Sequence, residues 1–211
     1  MKRLLVLAVF LLSLTHIAAA EISPAGQKLA SILDGMNVEH LWLARETVNW
    51  ETGEPDGRGV ALPKGHTHCS AFVAATAEKI GVYILRPPAH SARLLANAQE
   101  KWLHEPEARK QGWRRIGRIS DPGTSQAAVD AANRGELVVA VYHASRHGHP
   151  GHIAIVRPSD KSAALIASEG PDIIQAGLNN YRVTSLKDGF AEHPPAWREG
   201  RIEYYAHATN L

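Results

Sequence analysis

Gly65-His66-Thr67-His68-Cys69-Ser70-Ala71-Phe72-Val73 holds the only cysteine of a 211-residue chain, and an apolar-periodic segment starts at that cysteine and runs to Gly81. Phe72, Val73, Thr76 and Ile80 follow Cys69 at offsets of three, four, seven and eleven. That spacing is one face of an α-helix. Leu62-Pro63-Lys64-Gly65 ahead of it is loop chemistry. Cys69 is therefore predicted at a helix N-terminus, where unpaired N–H groups favour thiolate over thiol. The competing reading is a structural cysteine, because free cysteine is among the most buried residue types.

Outward from this stretch, the compartment bears on the sulfur. Met1-Lys2-Arg3, an apolar run from Leu4 to Ile17 and Ala18-Ala19-Ala20 have the form of a secretory signal peptide over 1–20, with cleavage after Ala20. The apolar run is shorter than the roughly 20 residues a membrane span needs, so no stable membrane insertion is expected after its removal. The chain is then exported, to a periplasmic or extracellular location. Oxidising compartments favour paired cysteines, and Cys69 has no partner in its own chain. It is either half of an intermolecular disulfide or a reactive thiol. Without Lys2 and Arg3, the 23 basic side chains fall to balance the 21 acidic ones. This leaves no basic excess for nucleic acid. Residues 21–211 have the length of a single domain with a sizeable core.

The remaining elements follow from local pattern. Ser23-Pro24 caps a helix expected to Met36, and a second short helix is expected through His40–Ala44. Trp50 to Lys64 reads as a Gly-, Pro- and acid-rich loop. Ser91 to Leu103 and Ser125 to Arg134 read as helices, and Trp113 to Ile119 as a short strand. Leu137–Tyr142 and His152–Val156 are strand runs; Ala163–Ala167 and Ile173–Ala176 are weaker strand candidates. Ile202, Tyr204 and Ala206 alternate with polar neighbours as a closing strand. Helices first and strands after predict an α+β domain with a mostly antiparallel sheet.

A cysteine nucleophile needs a base. His143, His147, His149 and His152 are the candidates in the second half. His147 and His149 sit in a turn and read best as solvated. His152 opens a strand, and a strand aims a side chain better than a loop does. Its bland alternative is a surface histidine at a strand end.

Cys-Ser-Ala-Phe-Val opening a helix, followed much later by Gly-His-Ile-Ala-Ile-Val opening a strand, resembles the papain-like NlpC and CHAP families of cysteine peptidases and amidases. The likeness covers roughly residues 65–177. It implies a papain-like NlpC/CHAP-type α+β fold, with N-terminal helices followed by a small, mostly antiparallel sheet. It also implies hydrolysis of amide bonds, often in bacterial cell-wall peptides, with Cys69 as nucleophile and His152 as general base. The expected partner is a peptide or peptidoglycan fragment, and no cofactor is implied. A third polar residue should orient the imidazole. Gln175 is the first choice, with Glu169, Asn179 and Asn180 behind it. An ordinary strand glutamine is the alternative for Gln175.

There are departures from the pattern. Pro63 stands where papain has the glutamine that helps hold the oxyanion, and His68 replaces the acid that precedes the cysteine in NlpC proteins. One oxyanion donor is then the Cys69 amide; Asn49, Trp50 or His68 are candidates for the second. About one of Trp42, Trp50, Trp102, Trp113 and Trp197 is expected to line a substrate groove. Two readings from other classes compete. His66, His68, Cys69, His147, His149 and His152 offer zinc or copper ligands, although their spacing matches no closed zinc pattern. A non-catalytic cell-wall-binding module on the same fold is the other.

Overall fold

A computed structural model describes residues 21–58, 62–63, 65–144 and 149–211. The signal peptide expected over 1–20 and the candidate His147 lie outside the described residues. Among the described residues there are eight helices and one open, six-stranded antiparallel sheet. No helix of these residues is long and apolar enough to cross a membrane.

The first helices gather before the sheet. They are α1 (Pro24–Asp34), α2 (Cys69–Lys79), α3 (Leu95–His104) and α4 (Pro106–Lys110). Ser23 caps α1, its hydroxyl accepting from the Gly26 amide at 3.1 Å, with Pro24 at the first helical position. The second helix expected at 40–44 does not form. That segment is a run of turns with Asn37, Trp42 and Arg45 at positive φ. Trp42 there drives its ring edge-on against Phe72 of α2, 5.3 Å between centroids. Burying that indole outweighs the weak helix preference of five residues.

The sheet order is β1 (Trp113–Arg118), β6 (Glu203–His207), β2 (Leu137–Tyr142), β3 (His152–Val156), β4 (Asp172–Ala176), β5 (Asn180–Ser185). The strand expected to close the sheet is thus an interior one. Its neighbours bury Glu203, which Arg115 and Arg118 neutralise at 3.0 and 2.8 Å. Ala163–Ala167, a strand candidate, is instead part of helix α6 (Ala163–Glu169). The Ser162 hydroxyl caps it, accepting from the Leu165 amide at 3.3 Å. A cap and alanine-rich composition favour helix where a seven-residue segment has no strand partner. Helices α5 (Thr124–Asn133), α7 (Leu186–Gly189) and α8 (Pro194–Arg198) complete the chain.

Alternation along the strands gives the sheet two faces. Val139, Val141, Ile153, Ile155, Ile174 and Ala176 pack with α1 and α2 in one apolar cluster. Val138, Ala140, Ala154, Val156 and Ile173 pack with α5, Phe190 and Ala196 in a second. The sheet is therefore covered by helices on both sides. This covering explains why β2 and β3 read as continuous apolar runs.

Candidate functional site

Cys69 is the first residue of α2, where the loop of Gly65 and its neighbours turns into the helix. Helix periodicity then fixes its direction. It faces the sheet with Ile153 and Ile155, and is 4 % exposed. His152 opens β3, opposite Tyr142 of β2. By alternation it belongs to the other face, with Ala154 and Val156. The thiol and the imidazole thus approach the start of β3 from its two sides. The contact that bridges the gap is the backbone: the Ile153 amide, one residue beyond His152, donates toward the sulfur.

His152 and Gln175 are joined directly. Gln175 Oε1 lies 2.8 Å from His152 Nε2, and each residue is only 3 % exposed. The sheet register makes this possible. Ile155 pairs with Ile174 and Val156 with Ile173, so one further step sets Gln175 beside Ala154. His152 is then the diagonal neighbour on the same face, within reach of a long side chain. The amide cannot flip without loss, because Gln175 Nε2 donates to the Asn179 carbonyl at 3.3 Å. With Oε1 as the acceptor, the imidazole proton sits on Nε2. Nδ1 is left with a free lone pair and no hydrogen-bond partner among the described residues. Gly189 makes room for the pair: a Cβ there would stand 2.8 Å from Gln175 Oε1 and would strike Ile173. Phe190 packs edge-on against the ring at 4.7 Å and keeps it dry.

Asn97 of α3 fastens the loop that delivers His152. Its Nδ2 donates to the His149 carbonyl at 2.9 Å, and its Oδ1 accepts from the Ala144 amide at 3.4 Å. Gly151 passes so close to the Tyr142 carbonyl and the Asn97 amide that a Cβ would overlap both.

Burial sets the electrostatics. It raises the Cys69 thiol above its ordinary value. The Ile153 amide, the Thr67 hydroxyl and the amides of Ser70 and Cys69 itself oppose this without reversing it. The helix N-terminus therefore does not produce the resting thiolate that the sequence predicts. Its donors are present, but desolvation of the charged sulfur outweighs them. Burial also brings His152 down to about 4, with the Gln175 bond acting weakly upward. At neutral pH the site rests as a thiol and a neutral imidazole.

The other candidates have different partners. Asn180 Nδ2 donates to the carbonyls of Val38, Leu41 and Trp42, and Glu169 pairs with Lys161 at 2.8 Å. Asn179 enters only through its carbonyl. Of the oxyanion candidates, Asn49 Oδ1 accepts from the Glu51 amide at 2.8 Å, the Trp50 carbonyl accepts from Trp42, and His68 Nε2 bonds the Glu46 carbonyl at 2.9 Å. The donor side chain beside the sulfur is Thr67, which sequence reasoning missed although it stands two residues before the cysteine.

A cavity of about 200 Å³ opens over His152 and Gln175, with Gly65 and Thr67 of the cysteine loop on one wall and Tyr181 and His193 on another. No tryptophan lines it. Trp42 and Trp113 are core residues, and Trp197 lines a larger hollow of about 1130 Å³ between α5, α6 and α8, away from the cysteine. Among the described residues no three His, Cys, Asp or Glu side chains converge as a metal site requires. The His66 and His68 rings come within 5.3 Å of each other, but His68 is turned to the Glu46 carbonyl. No protein-family model matches this chain, and no curated protein matches it.

Proposed function

We propose that this protein is an exported cysteine hydrolase that cuts amide bonds in peptides, the cell-wall peptides of bacteria first among them, on a papain-like NlpC/CHAP-type fold. The observation that carries the reading is the 2.8 Å bond from His152 to a glutamine whose own amide is pinned. A general base needs its basic nitrogen free, and this bond leaves Nδ1 unprotonated on the residue that precedes Ile153, whose amide donates toward the sulfur.

No hydrogen bond joins Cys69 to His152 among the described residues, so in this mechanism substrate entry first brings the thiol within reach of His152 Nδ1; the thiol proton then passes to Nδ1 as the sulfur attacks the amide carbonyl carbon. The Cys69 amide and the Thr67 hydroxyl, which donate toward the sulfur, are the donors this mechanism assigns to the tetrahedral oxygen. The imidazolium returns its proton to the leaving amine, and a thioester remains. Water, deprotonated by the same Nδ1, then releases the acid and restores the thiol. Gln175 holds the ring through both half-reactions. Because the thiol is buried, the Gly65–His68 loop must give way for a substrate carbonyl to reach it.

The raised thiol also favours a second reading, a non-catalytic wall-binding module that keeps the constellation without using it. One experiment separates them. Muropeptides incubated with wild type and with Cys69→Ala are compared by mass spectrometry. A new amine end formed by wild type alone supports the hydrolase. Retention of wall material by both, with no new end from either, supports the binding module.

A further inference from the structure

The cavity holds a second imidazole. His193 stacks on His152 with ring centroids 5.3 Å apart and planes 19° from parallel. It lies outside any helix or strand, yet it is firmly held. Its amide donates to the Phe190 carbonyl at 2.9 Å, and its carbonyl accepts from Ala196 at 2.8 Å. Pro194 and Pro195 follow it and start α8. Tyr142 packs against the ring at 5.7 Å, and the Arg201 guanidinium covers Tyr142 in turn at 5.0 Å.

The edge of this ring contrasts with its faces. Neither nitrogen of His193 has a hydrogen-bond partner among the described residues, whereas His152 is committed to Gln175. Both rings line the same cavity as Thr67 and Gly65. A ring clamped on its faces and open at its edge contributes its packing to the fold but leaves its polar atoms unused. A ligand group that hydrogen-bonds such an edge reproduces the bonds a polar atom facing a cavity otherwise makes to water.

The geometry points to His193 as a substrate-contacting residue: its edge hydrogen-bonds a neutral amide of the peptide next to the scissile bond, while its face supports His152. This rests on the amide-hydrolase reading above. The class of group follows from the surroundings. A neutral imidazole both donates and accepts, which suits a peptide amide. Asp188 and Glu192 line the same cavity and disfavour a substrate carboxylate there.

The test uses His193→Phe, which keeps the aromatic faces and removes the nitrogens, beside His193→Gln, which restores a donor and an acceptor. Muropeptides with tetrapeptide stems are the probe. Turnover is followed in each variant, and binding in the same variants carrying Cys69→Ala. Alkylation of Cys69 by iodoacetamide reads the thiol and His152 without substrate. The expected result for His193→Phe is binding and kcat/KM weakened about tenfold, the size of one lost hydrogen bond, with alkylation within about twofold of wild type and recovery in His193→Gln. Wild-type affinity and turnover in His193→Phe overturn the inference. So does a fall in alkylation parallel to the fall in turnover, which makes His193 a support of His152 only. If the wild type neither binds nor cuts the muropeptides, the hydrolase reading fails and this inference fails with it. Unchanged binding in His193→Phe by a protein that does cut them fails the inference alone.

Discussion

Replacing Gln175 by Leu puts an apolar side chain of comparable size in its place and removes the acceptor that fixes His152. Two effects follow from the geometry. His152 Nε2–H is left unsatisfied at a site 3 % exposed, a loss of about 1–3 kcal/mol for a buried polar group. For a domain of this length that lowers Tm by roughly 2–12 °C. The second effect is chemical. With the acceptor gone, the Nδ1–H tautomer competes with Nε2–H, and the small upward pull of Gln175 on the imidazole disappears, so His152 becomes a still weaker base. Proton transfer from Cys69 should slow about tenfold, less than the roughly 10²–10⁴-fold of losing general-base assistance altogether, because the imidazole is weakened and not removed. The assay is the rate of Cys69 alkylation by iodoacetamide at pH 7, with thermal unfolding in parallel and ¹⁵N imidazole shifts reporting the tautomer. A wild-type His152 found as the Nδ1–H tautomer would refute the assignment. So would a Gln175→Leu protein that melts and alkylates like wild type.

Two further outcomes follow from the same site. Because the folded pKa of His152 is depressed to about 4 from 6.5, its contribution to stability is complete above pH 6.5 and is lost as pH falls toward 4, by roughly 3 kcal/mol; denaturant titrations should show a steeper acid loss in wild type than in His152→Gln, and parallel profiles would sink the claim. Gly189→Ala should push Gln175 off its bond and slow alkylation, with little added slowing in the Gln175→Leu background, while its clash with Ile173 costs about 1–3 kcal/mol in either background; full additivity of the two alkylation effects in the double mutant would show that Gly189 acts elsewhere.

Much of the site was legible in the sequence, because each piece obeys a local rule. A 3.6-residue apolar period beginning at Cys69 sets the cysteine at a helix start. The apolar run after His152 sets the histidine at a strand start, and Gln175 lies within another short β-like run. What misled was also local. Ala163–Ala167 looks β-like until its serine cap is seen, and the 40–44 segment looks helical until Trp42 is buried. The thiolate expected at the helix start failed for a different reason. The sequence shows the helix amides but not how much protein covers the sulfur, and that cover wins.

Sequence alone thus determined which elements carry the candidate site residues, since helix and strand periods are properties of neighbouring residues. Tertiary structure decided which groups meet. The β3–β4 register brings Gln175, and not Glu169, Asn179 or Asn180, to His152 by its side chain, and the turn after Phe190 lays His193 on the same ring. A one-residue slip in that register would turn Gln175 to the opposite face, and such a choice is made only when both faces of the sheet are buried together.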